Sequence, residues 1–202
     1  MTSLPAGPSL DTPADSAGDP QWAADARQSL AHTDARLGQR FEQTENVQRL
    51  PGLRTRAVDQ LIIDAWHRCI PAGAGLALFA VGGYGRGELF PRSDIDLLVL
   101  AETDVQHRHE AALARLFALL WDAGLPASHA VRSATQCVHA AADQTVLTAL
   151  IEARALVADA TAQHGLARAI APSLVWPPRE YFLAKREELL ARDLHSSVAV
   201  SS

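Results

Sequence analysis

The chain is poor in cysteine, nearly empty of lysine, and free of any long apolar run. Of 202 residues only Cys69 and Cys137 carry thiols, far apart and without Cys-x-x-Cys spacing. That excludes a disulfide framework or a cysteine-built zinc site and suits reduced, partly buried thiols. Among 18 basic residues only Lys185 is a lysine, so any phosphate clamp must come from arginine. Acids outnumber bases, 23 to 18, and the net charge of −5 argues against a general nucleic-acid binder. No apolar stretch approaches the roughly 18 residues needed to cross a membrane. The opening Met1-Thr2-Ser3-Leu4-Pro5-Ala6-Gly7-Pro8 lacks the basic start and apolar core of a signal peptide. The expectation is a cytoplasmic protein that engages neither nucleic acid nor membrane. With 48% hydrophobic and 20% charged residues, the composition is that of a globular chain with one substantial core.

What is present is concentrated between Leu76 and Leu100. Leu76-Ala77-Leu78-Phe79-Ala80-Val81 reads as a buried strand entering a glycine-rich turn, Gly82-Gly83-Tyr84-Gly85-Arg86-Gly87. Asp94-Ile95-Asp96-Leu97-Leu98-Val99-Leu100 reads as a second strand leaving it. Residues two apart on a strand share a face, which sets Asp94 and Asp96 together. Two carboxylates so close repel unless a cation lies between them. Gly82 and Gly83 permit close backbone approach, and the residues after them begin a helix whose free N–H groups suit an anion. A phosphate cradle beside paired carboxylates points to a nucleoside triphosphate with Mg²⁺, a hard cation held by carboxylate and phosphate oxygens. The bland alternative is a tight turn capped by aspartates.

This order of elements resembles the nucleotidyltransferase superfamily, with its Gly-Gly or Gly-Ser followed by Asp-x-Asp. The segment Gly82 to Leu89, then Pro91 and Ser93-Asp94-Ile95-Asp96-Leu97-Leu98, is similar to the N-terminal part of the bifunctional uridylyltransferase/uridylyl-removing enzymes. Leu120-Trp121-Asp122, Ser128-His129-Ala130-Val131-Arg132-Ser133 and Thr148-Ala149-Leu150-Ile151-Glu152-Ala153-Arg154 fit in order, so the resemblance runs from about Asp25 to His195. It implies transfer of UMP from UTP to a tyrosine of the PII nitrogen-regulatory protein, with release of pyrophosphate. Asp94 and Asp96 become the catalytic metal ligands. Gly82, Gly83, Tyr84, Gly85, Arg86 and Ser93 become the substrate-binding set, and Arg92 flanks the site. Family members carry further His-Asp phosphohydrolase and ACT domains. No His-Asp doublet occurs here, so uridylyl removal and glutamine sensing are expected to be absent. The superfamily's third carboxylate has no acidic candidate between Leu125 and Arg132, and is expected beyond the end of the chain. A nucleotidyltransferase with another base or acceptor, and a silent Mg·NTP-binding module, are the competing readings.

The fold expected is α/β, a small mixed sheet flanked by helices, with N- and C-terminal helical segments. Residues 1–20 read as a disordered leader, 21–72 as helices, 73–134 as the nucleotidyltransferase core and 135–202 as a helical segment. In detail, a helix runs from Trp22 to about Val47 with Leu30, Leu37 and Phe41 on one stripe, and Pro51-Gly52 breaks it. A second helix carries Val58, Leu61, Ile62, Ala65, Trp66 and Cys69, and Pro71 with Gly73 and Gly75 ends it. His107 to Ala123 forms another, stopped by Gly124, and Leu125 to Arg132 a third strand. Ser133 and Asp143 start two further helices, the second reaching Leu156, and a last helix spans Pro178 to Leu194 with a Glu188–Arg192 pair. His107 and His109, two apart, do not converge on a metal. His129 reads as a substrate contact or, equally, a hydrogen-bonded structural histidine. Arg132 is an outside candidate to reach triphosphate or a carboxylate. Glu152 and Arg154 read as helical residues bonded to neighbouring elements.

Overall fold

The computed structural model describes residues 16–42, 50–91 and 93–171, with Leu183 and Arg186. Residues 1–15 of the expected 1–20 leader, Arg92 and all of the expected 178–194 helix but Leu183 and Arg186 lie outside these described residues. The end of that leader is ordered instead, with a helix starting at Asp19, whose carboxylate pairs with Arg115 at 2.8 Å. The element order is α1 (Asp19–Glu42), α2 (Leu50–Cys69), β1 (Ala77–Ala80), α3 (Gly82–Gly85), β2 (Ile95–Leu100), α4 (Thr103–Arg108), α5 (Glu110–Asp122), β3 (Ala127–Arg132), α6 (Ala134–Ala140), α7 (Gln144–Ile151), β4 (Arg154–Val157) and α8 (Ala160–Ala169). The strands form one mixed sheet in the order β3-β2-β1-β4. β1 runs antiparallel to both β2 and β4, while β2 and β3 are parallel. The parallel pair needs a crossover, supplied by α4 and α5.

Helices cover both faces, which explains why β1 and β2 read as nearly unbroken apolar runs. On one face Leu78, Ala80, Ile95, Leu97 and Val99 pack against Val58, Ile62 and Trp66 of α2 and Leu113, Leu116 and Leu120 of α5. On the other, Phe79, Leu98 and Leu100 meet Cys137, Leu147, Leu150 and Leu166 from α6, α7 and α8. Asp96 stands in the row of Leu98 and Leu100, on this second face.

The expected α/β class holds, and the local differences have physical reasons. Pro51 and Gly52 open α2 rather than break the chain, because proline is tolerated in a first helical turn. The helix expected from His107 divides at His109 into α4 and α5. Trp121 and Phe41, placed on apolar helices, are 70% and 58% exposed. Trp121 lies about 100° round α5 from Leu120, which turns it off the buried stripe. Ser133 forms the expected capping box with Gln136, and Asp143 caps α7 through the N–H groups of Thr145 and Val146. The expected long helix through Leu156 ends at Ile151, and Arg154–Val157 becomes β4. Its short Arg-Ala-Leu-Val run continues α7's apolar spacing and so reads as helix from sequence. The following Asp159, which caps α8, was the available signal that a new element starts there.

Leu116 is fully buried in α5. Leu116→Ala is expected to cost about 2–5 kcal/mol by the lost burial and the cavity left behind. Trp121→Ser should stay within about 0.5 kcal/mol, as exposed substitutions do. Urea denaturation of both variants checks the contrast.

Candidate active site

The glycine turn is built where β1 ends. Val81 is extended, with φ −129° and ψ 168°, and its N–H donates to Asp96 O at 3.0 Å. Gly82 then takes φ +59°, a left-handed conformation open to glycine. Its missing Cβ would stand 3.5 Å from Asp96 Oδ2, so the turn's backbone and that carboxylate are immediate neighbours. One helical turn follows, closed by Gly85 N–H to Val81 O at 3.0 Å and Arg86 N–H to Gly82 O at 3.1 Å. At Gly85 a Cβ would collide with the Glu152 carbonyl, which seats the turn directly on the α7–β4 corner.

A buried polar network fixes this turn from behind. Tyr84 is 1% exposed, and its hydroxyl donates to Asp59 Oδ1 at 2.6 Å. Arg154 grips the same carboxylate at 2.8 and 3.0 Å, and donates to Gly85 O at 3.2 Å and Tyr84 O at 3.3 Å. Burial, then the charge of Asp59, pushes the Tyr84 phenol far above its ordinary value, so it stays a neutral donor. Farther along, Leu89 N–H donates to Thr55 Oγ1, whose hydroxyl lies 2.9 Å from Gly87 O. Arg54, paired with Asp34 at 2.8 Å, reaches Phe90 O at 3.3 Å. Ser93 closes the loop, its Oγ accepting from Phe90 N–H at 3.2 Å. α2 thus carries the frame of the loop between the glycines and the aspartates.

Asp94 is exposed just before β2, rather than on it, and Asp96 is half-buried as the strand's second residue. Burial first, and the charge of Asp94 second, raises the Asp96 carboxyl above its ordinary value. Among the described residues neither carboxylate has a cationic partner. Two neighbouring, uncompensated oxygen donors beside an open backbone fit a hard divalent cation whose remaining positions go to phosphate and water. No cluster of three acidic, histidine or cysteine ligands occurs among the described residues. The neighbour of Asp96 across the β2–β3 register is Ser128.

The other expected site residues divide. Gly82 lies beside Asp96 and Gly83 beside the Arg86 guanidinium, while the Tyr84 side chain faces the core. Gly85 is a packing position, and Ser93 shapes the loop. Arg86 is held by Glu88 at 2.8 Å and Glu152 at 2.6 Å, with its guanidinium next to Gly83. His129 pairs in register with Leu97 and stacks on Phe117 with ring centroids 3.5 Å apart, on the face opposite Asp96. Asp59 and Arg154, as partners behind the turn, were missed in the sequence; they are 95 residues apart, and no local pattern joins them. A cleft of about 310 Å³ extends from Asp96 along the sheet beneath α7, lined by Ser128, Ala130, Arg132, Thr145 and Ala149 among others.

A glycine turn pressed against an unpaired aspartate couple on a small mixed sheet is the arrangement of nucleotidyl-transfer enzymes. Residues 65–148 match the nucleotidyltransferase domain family, and the chain carries that domain. It is 68% identical over 187 residues to the bifunctional uridylyltransferase/uridylyl-removing enzyme of Xanthomonas axonopodis pv. citri (strain 306), an alignment covering 90% of this chain and 22% of that protein. The enzyme so named from Xanthomonas campestris pv. campestris (strain 8004) is 70% identical over 186 residues, covering 90% and 21%. That of Stutzerimonas stutzeri (strain A1501) is 42% identical over 158 residues, covering 77% and 18%. The chain spans about a fifth of the length of the curated relatives it matches.

Tyr84→Phe removes a donor to a charged acceptor and is expected to cost about 1.5–3 kcal/mol, read from urea midpoints. The pH dependence has a definite sign. Asp96, with its carboxyl raised in the fold, keeps its proton after the unfolded chain has lost it near the ordinary aspartate value of 3.8. Its contribution to stability therefore falls as pH rises from there through the folded value. In chelator, Asp96→Asn should remove that decline and exceed the wild type in melting temperature at neutral pH; parallel pH profiles for the two proteins would contradict it.

Proposed function

We propose that the chain transfers UMP from UTP to a tyrosine of the PII nitrogen-regulatory protein and releases pyrophosphate. The observation that carries this reading is the unpaired Asp94–Asp96 couple set against the Gly82 backbone. The base is supported by the uridylyltransferase name of the relatives, and the tyrosine and PII by the family resemblance of Gly82 to Leu98. Asp94 and Asp96 would hold Mg²⁺. When bound, the ion supplies charge neutralisation at phosphate and a lower pKa for the attacking hydroxyl. Asp96 must be ionised to serve, so its raised pKa makes loading a competition with a proton. Gly82 and Gly83 let phosphate oxygens approach the main chain, and the Asp59–Arg154–Tyr84 network holds that main chain still. In the transfer the tyrosine oxygen bonds to the α-phosphorus, the bond to the β-bridging oxygen breaks, and the phenolic proton passes to solvent. The reading places the protein in the cytoplasm, in keeping with the free, buried Cys69 and Cys137. No helix among the described residues is long and apolar enough to cross a membrane.

A second reading, Mg·NTP binding without transfer, is favoured by the lack of a third carboxylate among the described residues. Intact-mass analysis of PII incubated with the chain, UTP and Mg²⁺ separates the two. Transfer predicts a gain of one uridylyl group, with the rate reduced more than about 100-fold in Asp96→Asn, since even outer-shell partners of a metal are worth 10–100-fold. UTP binding with no mass gain would support the silent reading.

A further inference from the structure

Arg86, the cation expected to meet the triphosphate, sits between two glutamates, yet a second arginine faces the same cleft. Arg132 ends β3 in one row with Ser128 and Ala130, on the face that carries Asp96, and all four residues line the 310 Å³ cleft. It is half-buried and has no carboxylate partner among the described residues. A cation drawn partly out of water without a counter-charge is unfavourable until an anion arrives. Its charge works against the rise that burial imposes on the Cys137 thiol of α6. Asp96 is in register with Ser128 and Leu100 with Arg132. Four residues, about 13 Å of strand, therefore separate the carboxylate end of the cleft from the Arg132 backbone. That span matches the combined length of an arginine side chain and an extended polyphosphate. Between the two ends stand Ala130 and Ala149, too small to fill the channel.

We propose that Arg132 binds the terminal phosphates of the nucleoside triphosphate, the part that departs as pyrophosphate, while Asp94 and Asp96 serve the reacting phosphate at the other end. The proposal rests on the nucleotidyl-transfer reading above. Guanidinium is the side chain whose planar fork matches phosphate oxygens in pairs, and a base carbonyl would leave its charge unanswered.

Calorimetric titration with Mg²⁺ present tests it, using UTP, UMP and inorganic pyrophosphate on wild type, Arg132→Gln and Arg132→Lys, with melting temperatures recorded for each. Arg132→Gln should weaken UTP and pyrophosphate by about tenfold or more, as loss of a charge-assisted bond does, and leave UMP within about twofold. Arg132→Lys should recover part of the loss, and carries the same comparison if the glutamine variant melts below the assay temperature. Unchanged pyrophosphate binding in the folded variants, or a parallel loss of UMP, overturns the proposal alone. A wild type that binds neither UTP nor pyrophosphate overturns the nucleotidyl-transfer reading, and this assignment with it, before any substitution is made.

Discussion

The contact on which the rest of the site depends is the grip of Arg154 on Asp59, with the Tyr84 hydroxyl on the same carboxylate. Asp59 belongs to α2, Tyr84 to the glycine turn and Arg154 to β4, so one carboxylate joins three stretches of chain. A largely buried charge is tolerated only when its lone pairs are met, and here two oxygens accept from a guanidinium and a phenol. The same guanidinium holds the Tyr84 and Gly85 carbonyls. That ties the carbonyl side of the turn to β4.

On the ligand side the fold does the reverse. Asp94 and Asp96 are brought together without a cation, and Asp96 rises in pKa because burial and its neighbour both oppose its charge. A satisfied carboxylate behind the turn and a frustrated pair in front of it divide the work between architecture and binding, a common pattern at functional sites. Arg86, between Glu88 and Glu152, belongs by contact to the architectural half in this state, although its guanidinium lies beside Gly83.

Much of this was legible from sequence where the determinant is local. The Gly82 turn, the aspartates one residue apart, the Ser133 capping box, the Asp143 cap and the α/β class follow from backbone freedom, side-chain period and hydrogen-bond chemistry over a few residues. Orientation across the sheet was not legible. His129 and Arg132 share one segment, yet register and alternation send His129 to Phe117 and Arg132 to the Asp96 face. Tyr84 lies among the glycines of the turn, but its ring is anchored by a partner 25 residues earlier. β4 escaped because four residues with an apolar spacing continuous with α7 carry no strand signal; only pairing with β1 makes them one.

The sequence distances in that network bear on how the site comes into being. Arg154 meets Gly85 across 69 residues and Asp59 across 95, so the turn's support is among the most non-local contacts in the chain. Closing loops of that size must be offset by contacts that form only afterwards, which makes such pairings late events. The glycine turn therefore gains the support of Arg154 only once β4 has docked on β1. A nascent chain still short of Arg154 would display both aspartates and both leading glycines while lacking the scaffold that aligns them.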